Sequence, residues 1–153
     1  MSAYRDLFIS AVTDVMAEAG LLETTIGEIA ATDEAHAVIS TIGITGDLQG
    51  YLMLCFDQSS YVGFVDSLSS ALGMERSSDD TYRRAVIGEV ANQLAGRASM
   101  LLAEIGADCN ITPPTVVTGA NVTAGLQSPD EEIFFSAKGS FGHANLFVGL
   151  KKR

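Results

Sequence analysis

From Asp79 to Ile105 the chain runs without proline and repeats apolar residues every three to four positions, whereas shortly beyond Gly106 come two consecutive prolines, Pro113 and Pro114. The first pattern is that of a long helix. The second excludes helix, because proline has no backbone N–H and pushes the residue before it into an extended conformation. The polar run Glu75 to Asp80 supplies Ser and Asp for the helix start, and Gly106 supplies its stop. At about 100° per residue, Val86, Val90, Leu94, Ala98, Leu101 and Ile105 fall in one arc, with Ile87, Ala91 and Leu102 beside it. That arc is the expected core face. Within the stretch GEVANQLAG, Glu89 and Asn92 stand roughly 60° apart on the opposite side and are expected to face outward.

The remaining segments follow from periodicity. Leu7, Phe8, Ala11, Val12, Val15 and Met16 form the apolar stripe of a first helix ending near Gly20. Between Thr25 and Asp57 the period shortens toward two. AVISTIGITG and YLMLCFD read as a hairpin turning at GDLQG, preceded by a strand at Ile26 to Ala31. Ser59 and Ser60 are the expected caps of a second helix that ends at Gly73, with Val62, Phe64, Val65, Leu68 and Leu72 on its apolar side. After the prolines, NVTAGLQ, EIFFSAKGS and HANLFVGLKK read as strands. The order helix, strands, helices, strands predicts an α+β fold, an antiparallel sheet with packed helices. A chain of 153 residues, 47% hydrophobic and without linker-like tracts, predicts one domain over residues 1–153.

Around Glu89 and Asn92 the outward face carries Ala85, Gly88, Gly96, Ser99 and Ala103. An ordinary solvated face would carry Lys, Glu, Arg and Gln, and a glycine inside a helix costs about 1 kcal/mol relative to alanine. Two readings are open from the residue types. In one, a partner surface approaches the backbone at Ala85, Gly88, Gly96 and Ser99, and Glu89 and Asn92 project into it. In the other, a second helix of the same chain packs on the small residues.

Charge narrows the partners. Nine Lys and Arg against 19 Asp and Glu give a formal net charge of -10, so neither nucleic acid nor an anionic membrane is an expected partner. The basic end Lys151-Lys152-Arg153 reads as a solvated tail. Charged residues interrupt the N-terminal apolar pattern, leaving neither a signal-peptide core nor a membrane span, and a cytoplasmic location is expected. Cys55 and Cys109 are isolated and read as buried thiols. His36 and His143 read as surface or strand-edge residues, and Asp33 and Glu34 beside His36 are a weak metal signal without a second His or Cys. No metal site is expected. G-x-S-x-G, Walker-type, CxxC and H-E-x-x-H patterns do not occur.

The segment Glu89 to Gly119, with Glu89 and Asn92 in an E-x-x-N helix and Pro113 and Pro114 downstream, resembles the signature region of the CheC/CheX/FliY phosphatases of bacterial chemotaxis. FDQSSYVGFVDSLSSALG, Phe56 to Gly73, resembles the strand-to-helix passage before that signature, and a single signature in a short chain is closest to the CheX branch. The likeness covers roughly Gly50 to Gly119. Two positions depart from the pattern: Ala85 stands where Asp or Ser is frequent, and 21 residues separate Asn92 from Pro114, which is short by one. The resemblance implies a phosphatase acting on the aspartyl phosphate of a CheY-type response regulator. It makes Asn92 the residue that orients the attacking water and Glu89 the partner of the regulator's active-site lysine. It further implies no cofactor of the chain's own, Mg²⁺ being supplied by the regulator, and a homodimer, for which the C-terminal strands are the expected open sheet edge. The alternatives are a module that binds a response regulator without catalysis and a structural module like the FliM middle domain.

Overall fold

The computed structural model describes residues 3–21, 23–30, 35–73, 79–123 and 129–152. Its elements are α1 (Ala3–Glu18), β1 (Thr25–Glu28), β2 (Ala35–Gly46), β3 (Leu48–Phe56), α2 (Gln58–Ala71), α3 (Asp80–Glu104), β4 (Cys109–Ile111), β5 (Thr115–Thr123), β6 (Glu131–Gly139) and β7 (Gly142–Lys152). The strands form one seven-stranded sheet in the order β1-β6-β7-β3-β2-β4, with β5 also paired to β2. Every pairing is antiparallel.

Period-two alternation decides which side of each strand is buried where. Val38, Ile42, Leu52, Leu54, Phe135, Leu146 and Val148 join Phe8, Val12, Phe64, Val65, Ile87, Leu94 and Leu102 of the helices in one core. The opposite face holds a smaller cluster of Ile39, Cys55 and Phe147, flanked by Met53, Phe134 and Ile29. β1 and β2 are consecutive in sequence but lie on opposite sides of the β6–β7–β3 centre. Ile29 packs on the smaller cluster, and His36 is buried with its Nε2 3.1 Å from Asn145 Nδ2. Burial of the Cys55 thiol in the same region pushes its pKa up to about 12.

α1 is anchored to α3 by Arg97, which reaches Asp14 at 3.4 Å and also pairs with Glu18. α2 is joined to α3 by the Tyr61 hydroxyl, which donates to Asp80 Oδ1 at 3.0 Å.

Several expectations are corrected. α2 begins earlier than the serines suggest: Asp57 is the N-cap, and its carboxylate accepts the Ser60 N–H at 2.7 Å. The core face of α3 is rotated, with Ile87, Ala91, Leu94, Ala98 and Leu102 buried, while Ile105 is the C-cap and 55% exposed. Leu72 likewise caps α2 in solvent. His36 is interior rather than at a surface. β7 lies between β6 and β3, so the C-terminal strand is central and the sheet ends instead at β1 and at β4 and β5. Asp33, Glu34, most of the run Glu75 to Asp80, the end of NVTAGLQ and Arg153 lie outside the described residues.

The cap makes one stability prediction. The Asp57 carboxyl is held below its usual value, first by the Ser60 backbone N–H, then by the Ser60 hydroxyl and by His143 and His36, against some desolvation. A folded pKa below the unfolded one stabilises above the ordinary value of 3.8, and that contribution is lost as pH falls through the folded value. Asp57→Ala is therefore expected to cost about 1 kcal/mol in urea unfolding at pH 7. The gap from the unmodified chain should close as the pH is lowered below that of the folded carboxyl.

Candidate functional site

The site grows from the way α3 meets a broken edge strand. β2 pairs with β4 through Ile44, Thr45 and Gly46, and with β5 from Thr41 back to Ala35. Between these two partners stand Thr112, Pro113 and Pro114. A proline cannot donate to a ladder, so the edge strand is interrupted where the prolines fall. Thr112 closes the gap from its own side: its N–H donates to the Gly43 carbonyl at 3.0 Å, and its Oγ1 accepts the Gly43 N–H at 2.8 Å. Glycine at 43 suits this close approach, since a Cβ would lie 3.1 Å from the Thr112 side chain and push it aside. The two prolines are thereby held as a short wall beside the first half of α3.

That wall and the helix enclose an open depression of about 380 Å³, lined by Gly88, Glu89, Asn92, Ile111, Thr112, Pro113 and Pro114. Glu89 is exposed and Asn92 half-buried. The predicted pair is thus brought together with the predicted prolines at one place. Glu89 Oε1 accepts from Gln93 Nε2 at 3.4 Å, one helical turn on. A carboxylate and a carboxamide side by side can bind a cation at one point and hold a water molecule at the next.

The small residues divide into two kinds. Gly88 is buried, and a Cβ there would meet Val116 Cγ2 at 3.6 Å and Pro114 Cγ at 3.7 Å, so it lies under the wall rather than on the free face. Ser99 is also engaged within the chain, its hydroxyl donating to the Cys109 carbonyl at 3.0 Å. Ala85 is exposed, and a Cβ on Gly96 would meet nothing within 4 Å. Packing inside the chain therefore gives no reason for glycine at 96. Thr112 and Gly43 were not singled out by the sequence; a β-branched hydroxyl residue directly before Pro-Pro was the available signal.

The family model described as chemotaxis phosphatase CheX matches residues 38–137. The CheY-P phosphatase CheX of Thermotoga maritima is 36% identical over 87 residues, which cover 57% of this chain and 55% of that protein. The match thus spans about half the length of the curated relative. Among solved structures, a chemotaxis protein CheX from Desulfovibrio desulfuricans superposes with a TM-score of 0.84 at 21% identity, covering 98% of this chain and 100% of that one. The CheX–CheY–BeF3–Mg²⁺ complex from Borrelia burgdorferi gives 0.79 at 19% identity, covering 97% and 98%. At these identities the structural likeness establishes the fold, an antiparallel sheet carrying three helices.

Gly96 offers a test of the helix face. Gly96→Ala is expected to stabilise the isolated chain by about 0.5–1 kcal/mol in thermal or urea unfolding, because it lowers backbone entropy in the unfolded state and meets no obstacle in the folded one. A loss of stability would mean that the face is occupied within the chain.

Proposed function

The chain belongs to the CheX family of chemotaxis phosphatases, and from that premise we propose that it hydrolyses the aspartyl phosphate of a CheY-type response regulator. The observation that carries this reading is the joint placement of Glu89 and Asn92 on one exposed stretch of α3, in a depression walled by Pro113 and Pro114. α3 docks against the regulator's active site and Asn92 points at phosphorus.

Hydrolysis breaks the bond between phosphorus and the aspartyl oxygen. Water attacks phosphorus in line with the leaving carboxylate, the carboxylate departs with the bonding pair, and the water's protons end on inorganic phosphate and solvent. Positioning matters more than basicity in such a loose transition state. The Asn92 carboxamide suits the task because it offers an acceptor to the water and a donor to the phosphoryl oxygens while remaining neutral. Glu89 meets the regulator's lysine and fixes the register of the docked helix. Mg²⁺ is carried by the regulator's own acidic residues, and this chain brings no cofactor.

Support for docking comes from Ala85 and Gly96, which leave the backbone of α3 accessible on the same side. Gly88 and Ser99 face the chain's own segments instead, Gly88 the proline wall and Ser99 the Cys109 carbonyl of β4. The proposal includes one functional domain over residues 1–153, a cytoplasmic location and pairing into a homodimer. No described helix is long and apolar enough to cross a membrane. For pairing, the sheet offers β1 and β5 as edges.

A phosphoregulator decay assay separates catalysis from docking alone. Asn92→Ala is expected to bind the activated regulator within about threefold of the unmodified chain and to lose at least ~100-fold in kcat, the scale on which a positioning group acts. Glu89→Ala is expected to weaken binding about tenfold, the loss of one docked ion pair. Normal phosphate release by Asn92→Ala would sink the reading. Tight binding by the unmodified chain with no acceleration would favour the non-catalytic module.

A further inference from the structure

Glu89 borders two depressions. The first is the Asn92 side described above. On its other flank α1, α2 and α3 leave an apolar cavity of about 380 Å³, walled by Met16, Phe64, Leu68, Leu72, Val86 and Val90. Its rim carries the side chains of Glu18, Glu89 and Gln93, and among the described residues no Lys or Arg lines it. Resting on the reading of α3 as the docking helix, we propose that this cavity is a second contact for the same regulator. It receives an apolar side chain that the regulator presents next to the cation meeting Glu89.

Three observations commit the cavity to that occupant. First, it is continuous with the docking face, since Glu89 lines both depressions. A partner that pairs with this carboxylate from the Asn92 side has its neighbouring residues above Leu72 and Val86. Second, the rim is acidic. Arg97 of α3 is engaged by Asp14 and Glu18 of α1. An anionic ligand is repelled here, and a second copy of a chain with net charge -10 is a poorer complement than a surface carrying a lysine. Third, Leu72 stands at the mouth 56% exposed, and an apolar side chain seated against it would take both from water. The hydroxyls of Ser69 and Tyr82 lie 3.2 Å apart, one donating to the other, so each keeps a hydrogen-bond partner beside an apolar occupant.

The socket acts on affinity, whereas Asn92 acts on turnover, and this difference provides the test. The probe is a CheY-type regulator whose decay the unmodified chain accelerates, activated with beryllofluoride for binding and phosphorylated for kinetics. Leu72→Asp, at an exposed helix cap, is expected to raise Kd and KM about tenfold while acting little on kcat, the loss expected for one apolar side chain left unburied. Val86→Ser on the opposite wall should shift Kd in the same direction, and Leu72→Met should restore it. Unchanged Kd in both Leu72→Asp and Val86→Ser would overturn the socket and leave the phosphatase reading standing. A change in the chain's own sedimentation with regulator affinity unaltered would also overturn it, assigning the cavity to a second copy. Asn92→Ala measured alongside reports on the underlying reading alone, because its kcat does not depend on what fills the cavity.

Discussion

Burial of one side of α3 against the sheet fixes where everything else on that helix points. Ile87, Ala91, Leu94, Ala98 and Leu102 lie in the core with at most 1% of their surface exposed. A helix about 37 Å long cannot turn about its axis without lifting such a row of side chains from the sheet. Each large one contributes about 1.5–3 kcal/mol on burial. The direction of Glu89, nearly opposite that row, is therefore set by residues with no chemistry of their own. Arg97 adds a second restraint, fixing α1 along one flank of the helix through Asp14 and Glu18.

The other flank is shaped by the failure of a strand. Had residues 109–123 paired with β2 without interruption, the edge beside α3 would be a continuous ladder. Pro113 and Pro114 lack the N–H groups such a ladder needs, and Thr112 supplies two hydrogen bonds to Gly43 in their place. The segment stays attached while two rigid rings face the helix. Gly88 is the helix residue beneath this wall: a Cβ there would meet Pro114 and Val116 at ordinary contact distance. The depression that holds Asn92 exists because an edge strand is broken at that level of α3.

How much of this could be read from residues depends on whether the controlling interaction is local. The period of 3.6 placed all three helices and the outward direction of Glu89 and Asn92, since helical geometry is set within a few residues. It misplaced the centre of the core face, giving Ile105 to the interior and Gly88 to the surface. α3 is covered by α1 on one flank and by the Thr112–Val116 segment on the other, and a wheel knows only hydropathy. The sequence offers Ser59 and Ser60 as caps as readily as Asp57, because Asp and Ser both cap well. Strand order was illegible for a deeper reason. Nothing in HANLFVGLKK announces that it pairs with β3 on one side and β6 on the other, because those contacts join distant parts of the chain. In the structure β7 is buried almost continuously, as a strand covered on both faces must be. The family likeness supplied what neither period nor propensity could, the pairing of one carboxylate with one carboxamide as a unit.

Under the proposed function the order of that unit resolves an electrostatic difficulty. A chain of net charge -10 must bring a helix up to a phosphoryl group that is itself anionic. Two unit charges 4 Å apart repel by about 1 kcal/mol in water and by several times more where water is excluded. A carboxylate at position 92 would meet that repulsion where the barrier must be lowered. With the carboxamide there and the carboxylate three residues earlier, the charge is displaced about 4.5 Å along the axis and roughly 60° around it. At that offset it faces a lysine instead of a phosphate, and its attraction can align the helix without raising the energy of the reacting centre. Catalytic neutrality and electrostatic docking are thus divided between two residues that a single turn of helix keeps in fixed relation, and neither could move without the core beneath them moving too.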